Sequence, residues 1–322
     1  MQVVITGGTG LIGQALANHL LQHQYEVIVL SRNKNQTAGL DHGVKVVEWD
    51  AKTADGWLEY ADGATAIVNL AGASVAGDSF LPARWSGSRK KAILESRLNA
   101  GKAVVDAVRK ATVKPKVLIQ SSAVGYYGNH PMDVVLTEDS PAGDDFLAKL
   151  CQQWEASTEA VEDVGVRRVV IRTGLVMSTK GGVYQRLVLP FKLFAGGTLG
   201  DGKQPQPWIH IDDQVNAMRF LIENESAYGV YNFTAPNPVT NKELASVISK
   251  TLQRPNWLPV PSFAFKLGFG EVSSIVLEGQ NVIPKRLLEA GYHFQYEQVE
   301  EAVQALTHDE AHDAHHEESH AH

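Results

Sequence analysis

The chain has 322 residues, with 29 Lys or Arg against 36 Asp or Glu, so its formal charge is −7. Residues 308–322 hold five of the acids, no Lys or Arg and six of the twelve histidines, so the remainder carries only −2. A near-neutral body argues against nucleic-acid binding, which needs a basic face. No apolar run approaches the roughly eighteen residues of a membrane span. The single cysteine, Cys151, and the absence of a signal-peptide pattern predict a cytoplasmic protein.

Short apolar runs alternate with helical patterns through the first 175 residues. The predicted strands cover residues 3–5, 27–30, 44–47, 66–68, 117–119 and 168–171, and the predicted helices cover 12–23, 89–110 and 146–164. Strands of this kind, each followed by a helix, imply right-handed crossovers and a parallel sheet covered on both faces. The predicted fold class is therefore α/β, a doubly wound parallel sheet of the Rossmann type.

The alternation of predicted strands and helices ends after residue 175, where prolines divide the chain into short segments. We therefore expect a nucleotide-binding domain over residues 1–175, completed by parts of 205–235. A smaller mixed lobe over residues 176–305 is expected to cover the carboxyl edge of the sheet. Residues 306–322 form an acidic, histidine-rich tail.

A glycine-rich loop connects the first strand to the first helix. Its sequence is Thr6-Gly7-Gly8-Thr9-Gly10-Leu11-Ile12-Gly13. Gly7 allows a tight turn, Gly10 lets the backbone approach a pyrophosphate, and Gly13 lets the helix press on the sheet. The first N–H groups of a helix, at the positive end of its dipole, bind anions. The loop thus predicts a dinucleotide site that includes Thr9, Leu11 and Ile12, and the alternative is an ordinary glycine-rich turn.

The end of the second strand indicates which cofactor is bound. A site specific for NAD places an acid there for the ribose 2′-hydroxyl, but this chain has Ser31 and Arg32. A serine can donate to a 2′-phosphate, and an arginine can form charge-assisted hydrogen bonds with it. NADP(H) is therefore the predicted cofactor, and the alternative is that Arg32 is a solvated loop charge.

Further strand ends supply expected cofactor contacts. Asp50 is placed to meet the adenine amino group, and the small residues of Asn69-Leu70-Ala71-Gly72 would let the middle of the dinucleotide lie against the backbone. Ser121 and Ser122, at the end of the fifth strand, are expected beside the cofactor. The alternative for Asp50 and for the Asn69 segment is a plain strand terminator.

Together these residues resemble the extended short-chain dehydrogenase/reductase superfamily, which includes nucleotide-sugar epimerases and dehydratases. The resemblance covers residues 1–305 and also rests on Tyr127-Gly128 and on the segment Trp208-Ile209-His210-Ile211-Asp212-Asp213. Arg84-Trp85, Ser96-Arg97, Leu189-Pro190-Phe191 and the segment 278–288 resemble a narrower group within it. That group is called the epimerase-family proteins, carries a C-terminal domain of unassigned role, and includes cyanobacterial and plastid members linked to division.

The resemblance implies a catalytic Ser or Thr with a Tyr-x-x-x-Lys pair, because a nearby ammonium lowers the pKa of the tyrosine that it faces on one helix side. This chain departs from that pattern. Matching Glu155 and Tyr127-Gly128 to the family places Ala123, Leu147 and Cys151 at the Ser, Tyr and Lys positions. None of these side chains can perform the same chemistry.

Substitute catalytic groups are weak candidates. Tyr127 or its neighbour Tyr126 could supply a phenol, Ser122 a hydroxyl and Lys149 a cation. For each, a structural role is favoured: packing at the pocket wall, bonding to backbone, and facing solvent. Cys151 is favoured as a small buried hydrophobe over a reactive thiol.

The second half offers candidates for the substrate pocket. Gln204, Trp208 and His210 could stack on or hydrogen-bond a ligand, and His210 would titrate near neutrality. A histidine bonded to backbone is the favoured alternative. Asp212 or Asp213 is expected to cap the next helix, over residues 214–223. Arg172 could meet an anionic substrate or only fix a loop.

Two functions follow. The favoured one is an NADP(H)-dependent oxidoreductase or epimerase-like enzyme acting on an unidentified small molecule, because the cofactor itself performs hydride transfer. The alternative is a non-catalytic NADP(H)-binding regulator, for example in division, which the missing catalytic set supports. The resemblance also implies a homodimer paired through the helices at 89–110 and 146–164.

The tail repeats histidine every four residues, at 308, 312, 316 and 320. On a helix these imidazoles would form one stripe suited to Zn²⁺, Ni²⁺ or Cu²⁺. A disordered, solvated terminus that binds no metal is favoured.

Overall fold

The computed structural model describes residues 1–77 and 82–320, with side chains up to residue 310. A seven-stranded sheet forms its centre. The strands of this sheet, in chain order, are β1 (Gln2–Thr6), β2 (Glu26–Ser31), β3 (Lys45–Glu48), β4 (Ala66–Asn69), β5 (Val117–Ala123), β7 (Arg167–Thr173) and β11 (Gly229–Phe233). Their spatial order is β3-β2-β1-β4-β5-β7-β11, and every neighbouring pair is parallel. The predicted doubly wound α/β fold is confirmed.

Three two-stranded pieces complete the strands. They pair β8 (Leu175–Met177) with β10 (Trp208–His210), β9 (Pro205–Gln206) with β12 (Val239–Thr240), and β6 (Val135–Leu136) with β13 (Asn281–Val282). The last of these pairs connects the C-terminal segment to residues 135–136 of the N-terminal half.

The helices are α1 (Leu11–Gln22), α2 (Leu58–Ala61), α3 (Gly87–Lys110), α4 (Phe146–Ala156), α5 (Gly182–Lys192), α6 (Ile211–Glu223), α7 (Asn241–Leu252), α8 (Ser262–Phe269), α9 (Ser274–Leu277), α10 (Lys285–Glu289) and α11 (Val299–His320). Short 3₁₀ turns cover Val124–Tyr127, Glu159–Val164 and Gly270–Ser273. No helix among the described residues is long and apolar enough to cross a bilayer.

Alternation along the strands divides the core between the two faces of the sheet. Ile5 and Val29 face α1 and α6, whereas Val4, Ile28 and Leu118 face α3. A third apolar cluster lies among α5, α7 and α11. Helices therefore cover both faces of the sheet, and the carboxyl ends of the strands form its open edge, where a ligand can bind.

The helix predicted over residues 146–164 is divided in two. It ends at Ala156, and a 3₁₀ turn follows from Glu159. The hydroxyl of Ser157 donates to the carbonyl of Trp154 at 2.7 Å. A serine that bonds its own backbone in this way competes with the helical ladder, which accounts for the break.

A helix extends from the C-terminal segment into the tail. Helix α11 runs from Val299 to His320, through most of the segment expected to be disordered. Its first turns are held because Val299, Ala302, Val303 and Leu306 are buried at helical spacing in the cluster with α7. The side chains of the histidines at 312, 316 and 320 lie outside the described ones.

Candidate functional site

The glycine loop has the geometry of an anion-binding turn. Gly7 has a φ of +67°, and a Cβ there would lie 2.9 Å from the carbonyl carbon of Leu70. A Cβ on Gly13 would lie 2.5 Å from the carbonyl oxygen of Gly7, so the helix can approach only without one. Gly10 caps α1 and offers no side chain to its first amides. Those N–H groups are therefore left for a ligand such as a pyrophosphate.

A buried network of polar side chains connects the strand ends on which this loop rests. Thr6 donates its hydroxyl to Asn69 at 2.7 Å, and Asn69 donates its amide to Gln120 at 2.8 Å. The backbone N–H of Ala71 donates to the Thr6 hydroxyl at 3.2 Å. Asn69 thus joins the ends of β1, β4 and β5 through its side chain. Sequence reasoning missed Thr6 and Gln120, although both stand at strand ends.

The residues predicted to select the cofactor lie at the ends of β2 and β3. Arg32 is exposed directly after β2, with no acidic residue beside it in the chain. The Ser31 hydroxyl is buried and donates to the carbonyl of Asn33 at 3.0 Å. Asp50 accepts hydrogen bonds from the backbone of Lys52 and Thr53, so its carboxylate fixes a turn in this structure.

A cavity of about 650 Å³ opens beside the carboxyl ends of β5 and β7. Ala123, Leu147 and Cys151 all line it, together with Thr173. Burial raises the pKa of the Cys151 thiol to about 11, so it is not a thiolate at neutral pH. The described part of the lining includes no tyrosine and no histidine.

Ser122 and Tyr127 lie in a closed network instead of the cavity. Ser122 donates to Glu155 at 2.6 Å, and Tyr127, fully buried, donates to Asn232 at 2.7 Å. Arg172 connects them: it donates to both carboxylate oxygens of Glu155 at 2.9 Å and to the Tyr127 hydroxyl at 3.1 Å. Burial raises the pKa of Tyr127 to about 12. Neither hydroxyl is presented to a ligand.

The remaining candidates on this side also have structural positions. The Arg172 guanidinium lies 3.3 Å from the centre of the Tyr126 ring, so this arginine fixes its surroundings and does not meet a substrate. Lys149 is exposed on the outer side of α4. Within the described residues, no group of three or more His, Cys, Asp or Glu side chains is arranged to hold a metal ion.

Three pocket candidates from the second half do not line the cavity. Trp208 is fully buried and donates to the carbonyl of Asn237, and Gln204 donates to the carbonyls of Leu199 and Val276. His210 is 1% exposed. Their segment instead contributes Pro205, Gln206 and Pro207 to the wall. Burial of these larger side chains in the core, with backbone partners, explains the difference.

His210 also takes the capping role that was expected of an aspartate. Its Nδ1 accepts from the backbone N–H of Asp212 at 3.1 Å and caps α6. Burial lowers the pKa of His210 from 6.5 to about 4, so the expectation of titration near neutrality is wrong. Asp213 instead accepts from the backbone of Gln295 and Tyr296, which ties α6 to the C-terminal segment.

One buried cation in the cavity wall has no acidic partner among the described residues. Arg97, on α3, is 7% exposed, lines the cavity, and stacks on Trp154 at 4.6 Å. Its Nη1 donates to the carbonyls of Ala73 and Ile93. A Cβ on Gly72 would lie 2.9 Å from the guanidinium carbon, so Gly72 makes room for this side chain as well as for a ligand.

The fold and the glycine loop define a dinucleotide-binding protein, and its similarity to known proteins identifies the family. Residues 3–233 match the NAD dependent epimerase/dehydratase family, and residues 260–306 match a domain of unknown function, DUF1731. The chain belongs to the NAD dependent epimerase/dehydratase family.

Relatives share nearly the whole chain. It is 38% identical over 309 residues to the epimerase family protein YfhF of Bacillus subtilis, covering 95% of this chain and 98% of that protein. It is 39% identical over 312 residues to the chloroplastic SDR39U1 homolog of Arabidopsis thaliana, covering 95% and 86%. The solved structure of human SDR39U1 with NADPH superposes with a TM-score of 0.83 at 33% identity, covering 95% of this chain and 99% of that one.

Proposed function

We propose that this protein is an NADP(H)-dependent oxidoreductase that acts on a small molecule held in the cavity beside β5 and β7. The observation that carries the proposal is the position of this cavity at the carboxyl edge of the sheet, where ligands of such folds meet the dinucleotide. The NADPH bound to the human relative supports the same cofactor. When bound, NADP(H) supplies the hydride.

In this proposal, the chain's own residues bind the cofactor and hold it in position. The uncapped start of α1 after Gly10 holds the pyrophosphate, and Asn69 keeps the strand ends beneath it in place. Arg32 pairs with the 2′-phosphate, for which it stands exposed at the end of β2. Ala123, Leu147 and Cys151 supply no acid or base at the cavity wall. The described lining contains no tyrosine, so the proton that accompanies the hydride comes from solvent or from one of the lining carboxyl groups of Asp145, Glu271 and Glu278.

A second function is favoured by one specific observation. Ser122 and Tyr127 are both occupied in the network of Glu155 and Arg172, and the described cavity wall has neither tyrosine nor histidine. A protein with this wall that binds NADP(H) without chemistry would act as a sensor of the cofactor's redox state.

Cofactor choice is tested first, by fluorescence titration with NADPH and NADH. We expect NADPH to bind at least about tenfold more tightly, because a charge-assisted hydrogen bond contributes about 1.5–3 kcal/mol. Arg32→Ala should abolish this preference, while Lys34→Ala, an exposed neighbour, should preserve it. Equal affinities in the wild-type protein would rule out the NADP(H) assignment.

Catalysis is tested next with NADPH deuterated at nicotinamide C4 and a panel of aldehydes, ketones and enones. Deuterium in a product, detected by mass spectrometry, is the expected result. If no compound is labelled, and hydrogen exchange differs between the NADPH and NADP⁺ complexes, the sensor function replaces the enzymatic one.

A further inference from the structure

The cavity wall contains a buried cation that has no counter-charge among residues 1–77 and 82–310, whose side chains are described. Arg97 is more than nine-tenths buried, and its Nε has no hydrogen-bond partner among the described residues. Burial lowers the pKa of Arg97 to about 10, and no carboxylate in the described part of the chain contributes to this shift. Its known partners are two backbone carbonyls and the ring of Trp154.

Such an arrangement is costly unless an anion completes it, because buried charges are ordinarily paired. The other cations of the wall differ from Arg97. Lys90, for example, forms an ion pair with Glu271. Arg97 also keeps its charge at any physiological pH. The cavity therefore holds a preformed position for an anionic oxygen group.

A second cavity, of about 380 Å³, adjoins the first. Val183 and Ile275 line both, so the two cavities share part of their wall. The second is lined almost entirely by apolar side chains from α5, α7 and the C-terminal segment, among them Leu187, Phe191, Ala245, Phe265, Phe269 and Val276.

The polar side chains in the described lining of this second cavity are engaged elsewhere. Asn241 accepts from the backbone N–H of Leu199 at 2.9 Å, and Arg186 donates to the carbonyl of Gly77 at 3.2 Å. Water in such a space would find few partners, whereas an apolar group would be well accommodated. The segment of unassigned role, which supplies Phe265, Phe269 and Val276, thus lines part of the second cavity.

We propose that the substrate is an amphipathic anion, with a carboxylate or phosphate head at Arg97 and an aliphatic or aromatic body in the second cavity. This proposal rests on the proposed function and names its substrate class. It assigns the head group to α3 and the recognition of the apolar body to the C-terminal segment.

The test uses acetate, butanoate, hexanoate and octanoate as probes, with the matching alcohols, in calorimetric titrations of the full chain saturated with NADPH. We expect affinity to rise about fourfold for each added methylene that enters the apolar cavity. The carboxylates should bind about tenfold more tightly than the alcohols, the effect of one charge-assisted interaction. An affinity independent of chain length would overturn the apolar half of the proposal.

Two sets of variants test separately the binding of the ligand's head group and of its apolar body. Arg97→Gln should remove the preference for carboxylate over alcohol, and Arg97→Lys should retain most of it. Val276→Phe, or Ala245→Leu if the first variant fails to fold, should weaken octanoate and leave acetate unchanged. Phe263→Ser is the matched control, because Phe263 is 74% exposed on α8 and lies outside the lining.

Titrations with NADPH itself, and with octanoate in the absence of NADPH, distinguish the sources of the anion. If Arg97→Gln weakens NADPH and leaves the preference for carboxylate intact, Arg97 binds a phosphate of the cofactor and the proposal is wrong. If the wild-type protein binds octanoate but not NADPH, the proposed function fails while the ligand class stands.

Discussion

The guanidinium of Arg172 and the carboxylate of Glu155 form a two-point ion pair, with both nitrogen–oxygen distances at 2.9 Å. The pair connects β7 to α4, which lies beside the cavity, and both residues are buried. The Ser122 hydroxyl and the Tyr127 hydroxyl complete its hydrogen bonds. A cluster of this kind holds the end of β5 at a fixed distance from α4.

Removing one partner should therefore leave a buried charge uncompensated. We expect Glu155→Ala to lower the free energy of unfolding by about 3–5 kcal/mol, measured by urea denaturation. Asp163→Ala serves as the control, since the Arg109–Asp163 pair is exposed and 3.5 Å apart and such pairs contribute about 0–1 kcal/mol. Equal effects of the two substitutions would show that the buried pair is not a structural centre.

We expect Tyr127 to stabilise the folded protein and to take no part in catalysis. Tyr127→Phe removes the donor to Asn232 and an acceptor for Arg172, so unfolding should become easier by about 1–3 kcal/mol. The NADPH dissociation constant and any deuterium transfer should stay unchanged. Tyr228→Phe, at a tyrosine that is 74% exposed, should alter neither quantity. Loss of deuterium transfer in Tyr127→Phe at full NADPH affinity would make this tyrosine catalytic after all.

His210 should make the protein less stable in mild acid. Its pKa is 6.5 in the unfolded chain and about 4 in the folded protein, where burial disfavours the charged ring. As the pH falls from 6.5 to 4, the unfolded chain binds a proton that the folded protein does not, so stability is lost in this window. The slope from this one group should approach about 1.4 kcal/mol per pH unit.

His210→Asn isolates this contribution, because asparagine can still cap α6. The difference in unfolding free energy between the two proteins should grow with pH from 4 to 6.5 and then level off. A difference that does not vary with pH would contradict the depressed pKa.

We expect the end of α11 to be unnecessary for NADPH binding and nearly so for stability. Truncation after Thr307 removes the acidic tail but keeps Val303 and Leu306, which are buried against α7. The truncation also removes the exposed Lys192–Glu310 ion pair, which contributes less than about 1 kcal/mol to the free energy of unfolding. NADPH affinity should therefore be unchanged, and unfolding only slightly easier. Truncation after Gln298, the control, should destabilise the protein strongly because the buried turns go with it.

Sequence reasoning went furthest where the pattern is local. The short apolar runs between helical patterns predicted the sheet, because such runs are properties of neighbouring residues. The demands on Gly7 and Gly13 come from a turn and a close approach within a few residues of each other. Among the candidate groups near the cavity, Ala123 and Cys151 line it, as their matched positions in the family imply, while Ser122 does not.

The sequence by itself determined the doubly wound sheet and the nucleotide loop, since turn geometry and hydrophobic period are short-range. Only the tertiary structure decided which polar groups remain free. Glu155 neutralises Arg172 from a different element, whereas Arg97 finds no such partner among the described residues. Whether a buried charge is paired depends on residues distant in the chain that folding brings within a few ångströms. No local pattern encodes that distance.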